Sequence, residues 1–433
     1  MALRLLENDL AHLLLALVVL LTAAHVVGYV FELLRQPRVI GEICGGLLLG
    51  PTGLGAVAPG AYKVLFGSSP EANLVIFEAI FKLGLILLLF CSGMEIRQAF
   101  QKEERRTALW ITVLGTVLPF GAAWLVLPSF DMAPYMGDRA TAFSFNLVIA
   151  VAVAVTSIPV ISKIFMDLGL LGTPFARIVL SAAVLEDIVL YVVVGIALAS
   201  AKRPDSTVGD YGLGHWLGLD DGSRMSIGLH VAVTLAFFVL VLRFGPQLFA
   251  AVSRAKFNLM RRGSQLGYLL AFLLVMSLLA MTLGVNVMFG AFVAGMAAAQ
   301  ASEDADESRK ALKDFSSAFF IPIYFAIVGL KLDLLRDFPM GFFLVFTAAA
   351  CAVKAASVWI GAKLAGCTAR GAWNLAIAMN ARGGPGIVLA SLAYDARIVN
   401  EKVYVVLVLL AILTSLLAGA HLVRLRRRGA ELL

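Results

Sequence analysis

Two adjacent carboxylates, Glu186 and Asp187, stand near the middle of VLSAAVLEDIVLYVVVGIALA, residues 179–199. That run is long enough to cross a bilayer. An ionised group at such depth costs at least about 2.5–3.5 kcal/mol, and by default it marks an ion or proton path. Like charges in contact cannot both ionise cheaply, and a bound cation would offset their repulsion. The doublet therefore reads as a place that holds protons or a cation, with little room for both.

Other chemistry-bearing residues gather around it in the sequence pattern. Lys354 lies deep in the apolar run 340–365, where an ammonium needs a partner, and Glu186 is preferred over Asp187 for that role. In VTSIPVI, Pro159 has no N–H and crowds the carbonyl four residues back. Carbonyls freed near 155–158, with the Thr156 and Ser157 hydroxyls, would be hard oxygen ligands for an alkali cation. A second breaker, Gly383-Gly384-Pro385-Gly386, follows Arg382. A guanidinium cannot shed its proton at working pH, so Arg382 is expected to tie down freed carbonyls or a carboxylate. Glu78 and Lys82, four residues apart, can neutralise each other and read as structural. Glu42 and Glu95 fall near helix ends and are expected at the interface. The histidines and cysteines show no ligand spacing. No nucleophile–base set or zinc signature is present. The pattern is not that of an enzyme, and no resident cofactor is expected.

The elements that must position these residues are membrane spans. Of 433 residues, 61% are hydrophobic and 15% charged, which excludes an ordinary soluble domain. The formal charge of +7 reads as basic loops, not nucleic-acid binding. The N-terminus lacks a signal-peptide pattern, so the first apolar run is taken as a true span. About 13 candidate spans follow from length and hydropathy, near 10–34, 39–58, 73–96, 107–128, 143–166, 174–200, 225–249, 265–284, 285–301, 315–335, 340–365, 370–394 and 402–423. Most Lys and Arg residues fall in one set of loops, which places the N-terminus outside and the basic C-terminal tail inside. A Gly- and Asp-rich stretch near 201–224 reads as a loop joining two halves. QLFAAVSRAKFNLMRRG, at 247–263, reads as an amphipathic linker helix on the inner surface. Small-residue runs, GEICGGLLLGP and GVNVMFGAFVAGMAAA, and helix-weak centres, VTSIPVI and NARGGPGIV, recur seven spans apart. That offset is the pattern of an inverted repeat with two broken helices.

RQPRVIGEICGGLLLGPTGLG, LGLILLLFCSGMEI, VTSIPVISKIFMDLGLLGTPFARIVLSAAVLEDI and MNARGGPGIVLASL, in that order, resemble the monovalent cation:proton antiporter superfamily. The nearer branch contains bacterial Na+/H+ antiporters and the membrane part of potassium-efflux systems. The resemblance covers nearly the whole chain, 1–433, as one integral membrane unit of the inner (plasma) membrane. It implies an all-α Na+/H+ antiporter fold and a homodimer. It also implies a transport core near 107–200 and 340–423, moving like an elevator past a dimerisation domain near 10–96 and 265–335, with the linker at 225–263. Asp187 falls at the family's essential carboxylate, Glu186 where the family has Asp or Asn, and Lys354 where many members carry a basic partner. Glu at 186 and the acid-free RGGPG stretch depart from the family pattern and leave stoichiometry open. No C-terminal nucleotide-binding domain is read in the sequence.

The expected activity is exchange of Na+ or Li+ for protons. The alternatives are K+/H+ exchange with the same residues and, from another class, a sodium-coupled organic solute symporter on a similar fold.

Overall fold

The computed structural model describes residues 7–34, 36–67, 71–95, 105–170, 172–201, 224–255, 258–300, 306–336, 338–429 and 431–433. The described chain is helical, with an isolated antiparallel bridge between Met136 and Val399. In order the main helices are α1 (Glu7–Leu33), α2 (Arg38–Leu49), α3 (Glu71–Glu95), α4 (Arg105–Val126), α5 (Ala142–Ala154) and α6 (Ile158–Asp167). There follow α7 (Pro174–Ala199), α8 (Arg224–Arg254), α9 (Gln265–Thr282), α10 (Val287–Gln300), α11 (Asp306–Phe315) and α12 (Ile321–Leu330). The last four are α13 (Met340–Leu364), α14 (Ala369–Ala378), α15 (Gly383–Asp395) and α16 (Glu401–Arg427).

Among the described residues, ten helical segments are long and apolar enough to cross a membrane. There are eleven if α14 and α15, bent by 42° at their break, form one span. Ala142–Ala154 and Val287–Ala299 are shorter apolar helices. Each stretch expected as a span carries helix, but 143–166 divides into α5 and α6, and 285–301 yields only α10. The span expected at 315–335 starts earlier, within Glu307–Leu330, through a π-helical turn at Ser316–Phe320.

The range expected as the linker is helical in two pieces. α8 runs unbroken through Pro246 to Arg254 and absorbs the first half of QLFAAVSRAKFNLMRRG, and a five-residue helix, Leu259–Gly263, follows. In apolar surroundings no water competes for the backbone, so a proline need not end a helix. The joining loop near 201–224 lies almost wholly outside the described residues.

The chain forms two compact units. The smaller comprises Met1–Leu89 and Asp306–Phe338. Its centre is α2, packed between α1 and α12. The small residues of GEICGGLLLG make this possible: a Cβ on Gly46 would overlap the Ala326 carbonyl, and one on Gly329 the Ile43 carbonyl. Close backbone approach of this kind is how apolar helices associate where lipid removes the hydrophobic driving force. Glu42, near the start of α2, is 4% exposed and accepts from Arg38 Nε at 3.1 Å. Arg38 also donates to His25 Nδ1, and His25 Nε2 donates to Ala318 O at 2.9 Å. The i, i+4 pairing of Glu78 with Lys82, at 2.6 Å, is present on an exposed face.

The larger unit comprises Phe90–Ala305 and Pro339–Leu433 and holds both interrupted helices. α4 lies against α5, α7 and α13. The loop before α5 is tied to the loop after α15: Gly137 N donates to Ile398 O (3.0 Å), Arg139 N to Arg397 O (3.1 Å) and Asn400 N to Tyr135 O (3.2 Å). Arg397 closes α15 in the left-handed region, φ 55°, and its side chain pairs with Asp138 at 2.9 Å.

Candidate ion-exchange site

The site begins with two helices that stop early. α5 ends at Ala154, and Val155 to Ser157 are extended before α6 starts. Pro159 occupies the first turn of α6, where its missing N–H costs nothing. Ser157 caps that turn, its Oγ accepting from Val160 N at 3.4 Å. In the second break, α14 ends at Ala378 and α15 begins at Gly383, whose φ is +34°. A Cβ there would overlap the Val160 side chain, so this position needs glycine for both conformation and space. The two interruptions meet: Ser157 N donates to Ala381 O at 2.6 Å, and Thr156 Oγ1 donates to Met379 O at 2.5 Å.

The last carbonyls of a helix have no partners within it, and they carry the negative end of its dipole. At the end of α5 two buried cations take them. Arg382 donates from Nε to Ala152 O (3.0 Å) and from Nη2 to Val153 O (3.0 Å). Lys354, on α13, donates from Nζ to Ala154 O at 2.5 Å.

Both cations are otherwise saturated. Lys354 Nζ also donates to Gly115 O on α4 (2.9 Å) and to Glu186 Oε1 on α7 (2.7 Å). That uses the three donors of an ammonium. Arg382 further donates from Nη2 to Ala350 O (2.9 Å), and from Nη1 to Asn380 O (3.1 Å) and Asn380 Oδ1 (3.0 Å). Five guanidinium N–H groups thus meet five oxygens. Hydroxyls from α16 close the start of α15: Arg382 N donates to Thr414 Oγ1 (3.3 Å) and Gly383 N to Ser415 Oγ (3.1 Å).

The six residues expected at the site are all buried: Glu186 and Asp187 are each 2% exposed, and Thr156, Ser157, Lys354 and Arg382 at most 1%. The pairing of Lys354 with Glu186 is as expected. Glu186 Oε2 is buried and has no hydrogen-bond donor among the described residues. Asp187 is the next residue of α7, about 100° further round the helix. Of the two roles open to Arg382, the structure shows the carbonyl clamp. Upstream of the carbonyls expected at 155–158, those of Ala152, Val153 and Ala154 are engaged by the two cations, because a helix leaves its final turn unpaired. Thr156 Oγ1 donates to α14's end and lies against Glu186, and Ser157 Oγ caps α6. Gly115, Asn380, Thr414 and Ser415 were not singled out from sequence. A Cβ on Gly115 would lie 3.3 Å from Glu186 Oε1 and 3.1 Å from Val358 Cγ2, so its bareness is the one local signal for that contact.

Two buried acids and two buried cations thus stand where two broken apolar helices touch. The sequence model described as "Sodium/hydrogen exchanger, transmembrane" matches residues 17–427, and the chain belongs to that family, one of transporters and not enzymes. It is a multi-pass membrane protein.

Among its relatives is Na(+)/H(+) antiporter NhaS4 of Synechocystis sp. (strain ATCC 27184 / PCC 6803 / Kazusa), 26% identical over 96% of this chain and 98% of that protein. Cation/H(+) antiporter 18 of Arabidopsis thaliana is 28% identical over 93% of this chain and 47% of its own length. K(+)/H(+) antiporter 1 of Saccharomyces cerevisiae is 28% identical over 89% and 43%. The chain spans about half the length of several curated relatives it matches, the Arabidopsis and yeast proteins among them. In fold it is similar to the sodium proton antiporter MjNhaP1 from Methanocaldococcus jannaschii, with TM-score 0.65 and 14% identity, over 96% of this chain and 98% of that one.

Proposed function

We propose that the chain exchanges a monovalent cation, Na+ or Li+ foremost, for protons by alternating access, as a homodimer in the cell's inner (plasma) membrane. The observation that carries this reading is the buried Glu186–Lys354 pair, with Asp187 beside it, at the junction of the two breaks. Exchange needs a site whose occupants exclude each other. A carboxylate sealed from water holds either a proton or a cation, because either one neutralises it. Asp187 is the group that trades one for the other. Lys354 shares Glu186 with any entering ion, and an alkali cation competes with its ammonium for the same oxygens. Trading one proton for one cation leaves the site's charge unchanged. Release of the Lys354 proton as well would move net charge, and membrane potential would then alter the rate.

The segments 107–200 and 340–423 carry every site residue and travel as one body, with 10–96 and 265–335 forming the stationary dimer. Support comes from the close joining of the two breaks, since hydrogen bonds between them oblige both to move together. The internal repeat and an outside N-terminus belong to the same reading. A second reading, K+ for protons, is favoured by the name of the yeast relative and uses the same residues.

The test is proteoliposomes holding a proton gradient and a pH dye. Added Na+ or Li+ should dissipate the gradient in the native chain and not in Asp187→Asn, and K+ in place of Na+ would select the second reading. A gradient untouched by all three cations, or full exchange by Asp187→Asn, rejects the proposal. Repeating the assay with the potential clamped reads the stoichiometry.

A further inference from the structure

We propose that His25 is a proton-sensitive joint of the smaller unit: it holds α1 to α2 while its ring is neutral and releases Arg38 when the ring takes a second proton. Both ring nitrogens have partners whose roles are fixed. A guanidinium can only donate, so Nδ1, which Arg38 Nη2 meets, is bare. A carbonyl can only accept, so Nε2, 2.9 Å from Ala318 O, carries the hydrogen. The contacts therefore select one form of the ring, neutral and protonated on Nε2. The contact with Ala318 has its own cause. Pro322 stands four residues after Ala318, where an α-helix would supply the N–H for that carbonyl, and proline has none. His25 supplies a hydrogen instead.

The surroundings are shaped for this contact. Gly28 lies three residues beyond His25, and a Cβ on it would stand 3.1 Å from Arg38 Cγ and 3.3 Å from Glu42 Cγ, so a bare residue there lets both side chains lie against α1. A Cβ on Gly41 would stand 2.6 Å from Val27 O, so the two backbones are also close. The Arg38 side chain is 40% exposed, which leaves the pair within reach of protons from outside the unit. A second proton on the ring turns Nδ1 into a donor facing a donor. It also sets two cations side by side with one carboxylate, Glu42, to offset them. Histidine changes charge between about pH 5 and 8, so the tie is present at pH 8 and lost as the medium is acidified toward pH 5. Of the elements packed against α1, α2 brings Arg38, Glu42 and Cys44, α12 brings Tyr324, and the helical turn Lys63–Gly67 brings Lys63. The turn Ser316–Phe320 brings no titratable side chain. On α1 itself Glu32 lies two turns further on. Under the exchange reading the smaller unit belongs to the stationary part, and loosening it should slow exchange in acid.

The joint itself does not rest on the exchange reading, because two of its measurements need no transport. Melting of the full chain in detergent, followed by tryptophan fluorescence, is compared at pH 8 and pH 5. Glutamine at position 25 offers Arg38 an oxygen and Ala318 O an N–H without titrating. H25Q should melt with the native chain at pH 8 and roughly 2–4 °C above it at pH 5. Acid also discharges carboxylates, so the same gap should open between H25Q/E42Q and E42Q, a comparison that leaves Glu42 out. Nitrogen NMR of the histidine-labelled native chain gives the ring directly, with His25 identified by the signal missing in H25Q. It should show Nδ1 bare and Nε2 protonated at pH 8, and both protonated at pH 5. A ring protonated on Nδ1 at pH 8, a ring still neutral at pH 5, or a melting gap no wider at pH 5 than at pH 8 would overturn the proposal. In proteoliposomes, H25Q should keep a larger share of its pH 8 exchange rate at pH 6 than the native chain keeps. Equal shares would overturn the link to exchange, whereas a native chain that exchanges no cation defeats the exchange reading while melting and NMR still decide the joint.

Discussion

Arg382→Lys keeps the charge and removes the fork, and it separates the two reasons a buried guanidinium could matter. Arg382 meets Ala152 O, Val153 O, Ala350 O, Asn380 O and Asn380 Oδ1 with its five N–H groups. An ammonium has three donors, so at least two of those oxygens lose their partner. All lie in the buried interior, where an unmet acceptor costs about 1–3 kcal/mol. The loss is therefore roughly 2–6 kcal/mol, a large share of the few to fifteen that folded proteins commonly possess. Arg382→Gln loses the charge as well and more of the donors. If the clamp is what counts, Lys and Gln variants should both fall well below the native chain, with Gln the lower. If charge is what counts, Lys should stand close to native. Equilibrium unfolding in mixed SDS–detergent micelles, followed by tryptophan fluorescence, gives the ranking. Cation-dependent exchange in liposomes gives a second one. An Arg382→Lys protein with native stability and native exchange would refute the argument that the five-oxygen match holds the two breaks together.

Three other outcomes are expected. Lys354→Ala leaves Glu186 buried without its cation, which commonly costs about 3–5 kcal/mol; Lys354→Ala with Glu186→Gln should regain most of that in the same unfolding assay without regaining exchange. Gly115→Ala pushes a methyl to within 3.3 Å of Glu186 Oε1, so apparent cation affinity should fall several-fold, read as the concentration that half-dissipates a proton gradient. The Arg397 guanidinium holds the Asp138 carboxyl below its usual range. This tie is therefore fully present above the ordinary carboxylate pKa and is lost as pH falls through the lowered one. Both side chains are more than half exposed, so Asp138→Asn should leave melting near pH 7 almost unchanged and the gap to the native chain should close further in acid.

Much of the site could be read before any coordinates because charge in an apolar run is conspicuous. Glu186, Asp187, Lys354 and Arg382 announce themselves by cost, and Pro159 and Gly383 to Gly386 announce the two breaks. What could not be read are partners made of main chain. Ala152, Val153, Ala154 and Ala350 supply half of the acceptors that hold the cations, yet their side chains resemble every other small apolar residue in a span. Gly115 was missed for the same reason. Where the span near 225–249 passes into the linker segment could not be read, because an alternation of apolar and basic residues describes a helix face but not where a helix starts. α8 continues across that boundary, and Pro246 does not mark it. Arg38 stands four residues before Glu42, a spacing legible in the sequence, whereas only packing brings His25 to Arg38.

The clamp on α5 has a consequence for how this chain can drift over time. Arg382 and Lys354 grip oxygens that every amino acid possesses, so the identities at 152, 153 and 154 are free to vary among small apolar types. Length is not free. Adding or deleting one residue between Thr141 and Val155 would turn those oxygens about 100° away from both cations. Substitutions in that stretch should be common and insertions absent.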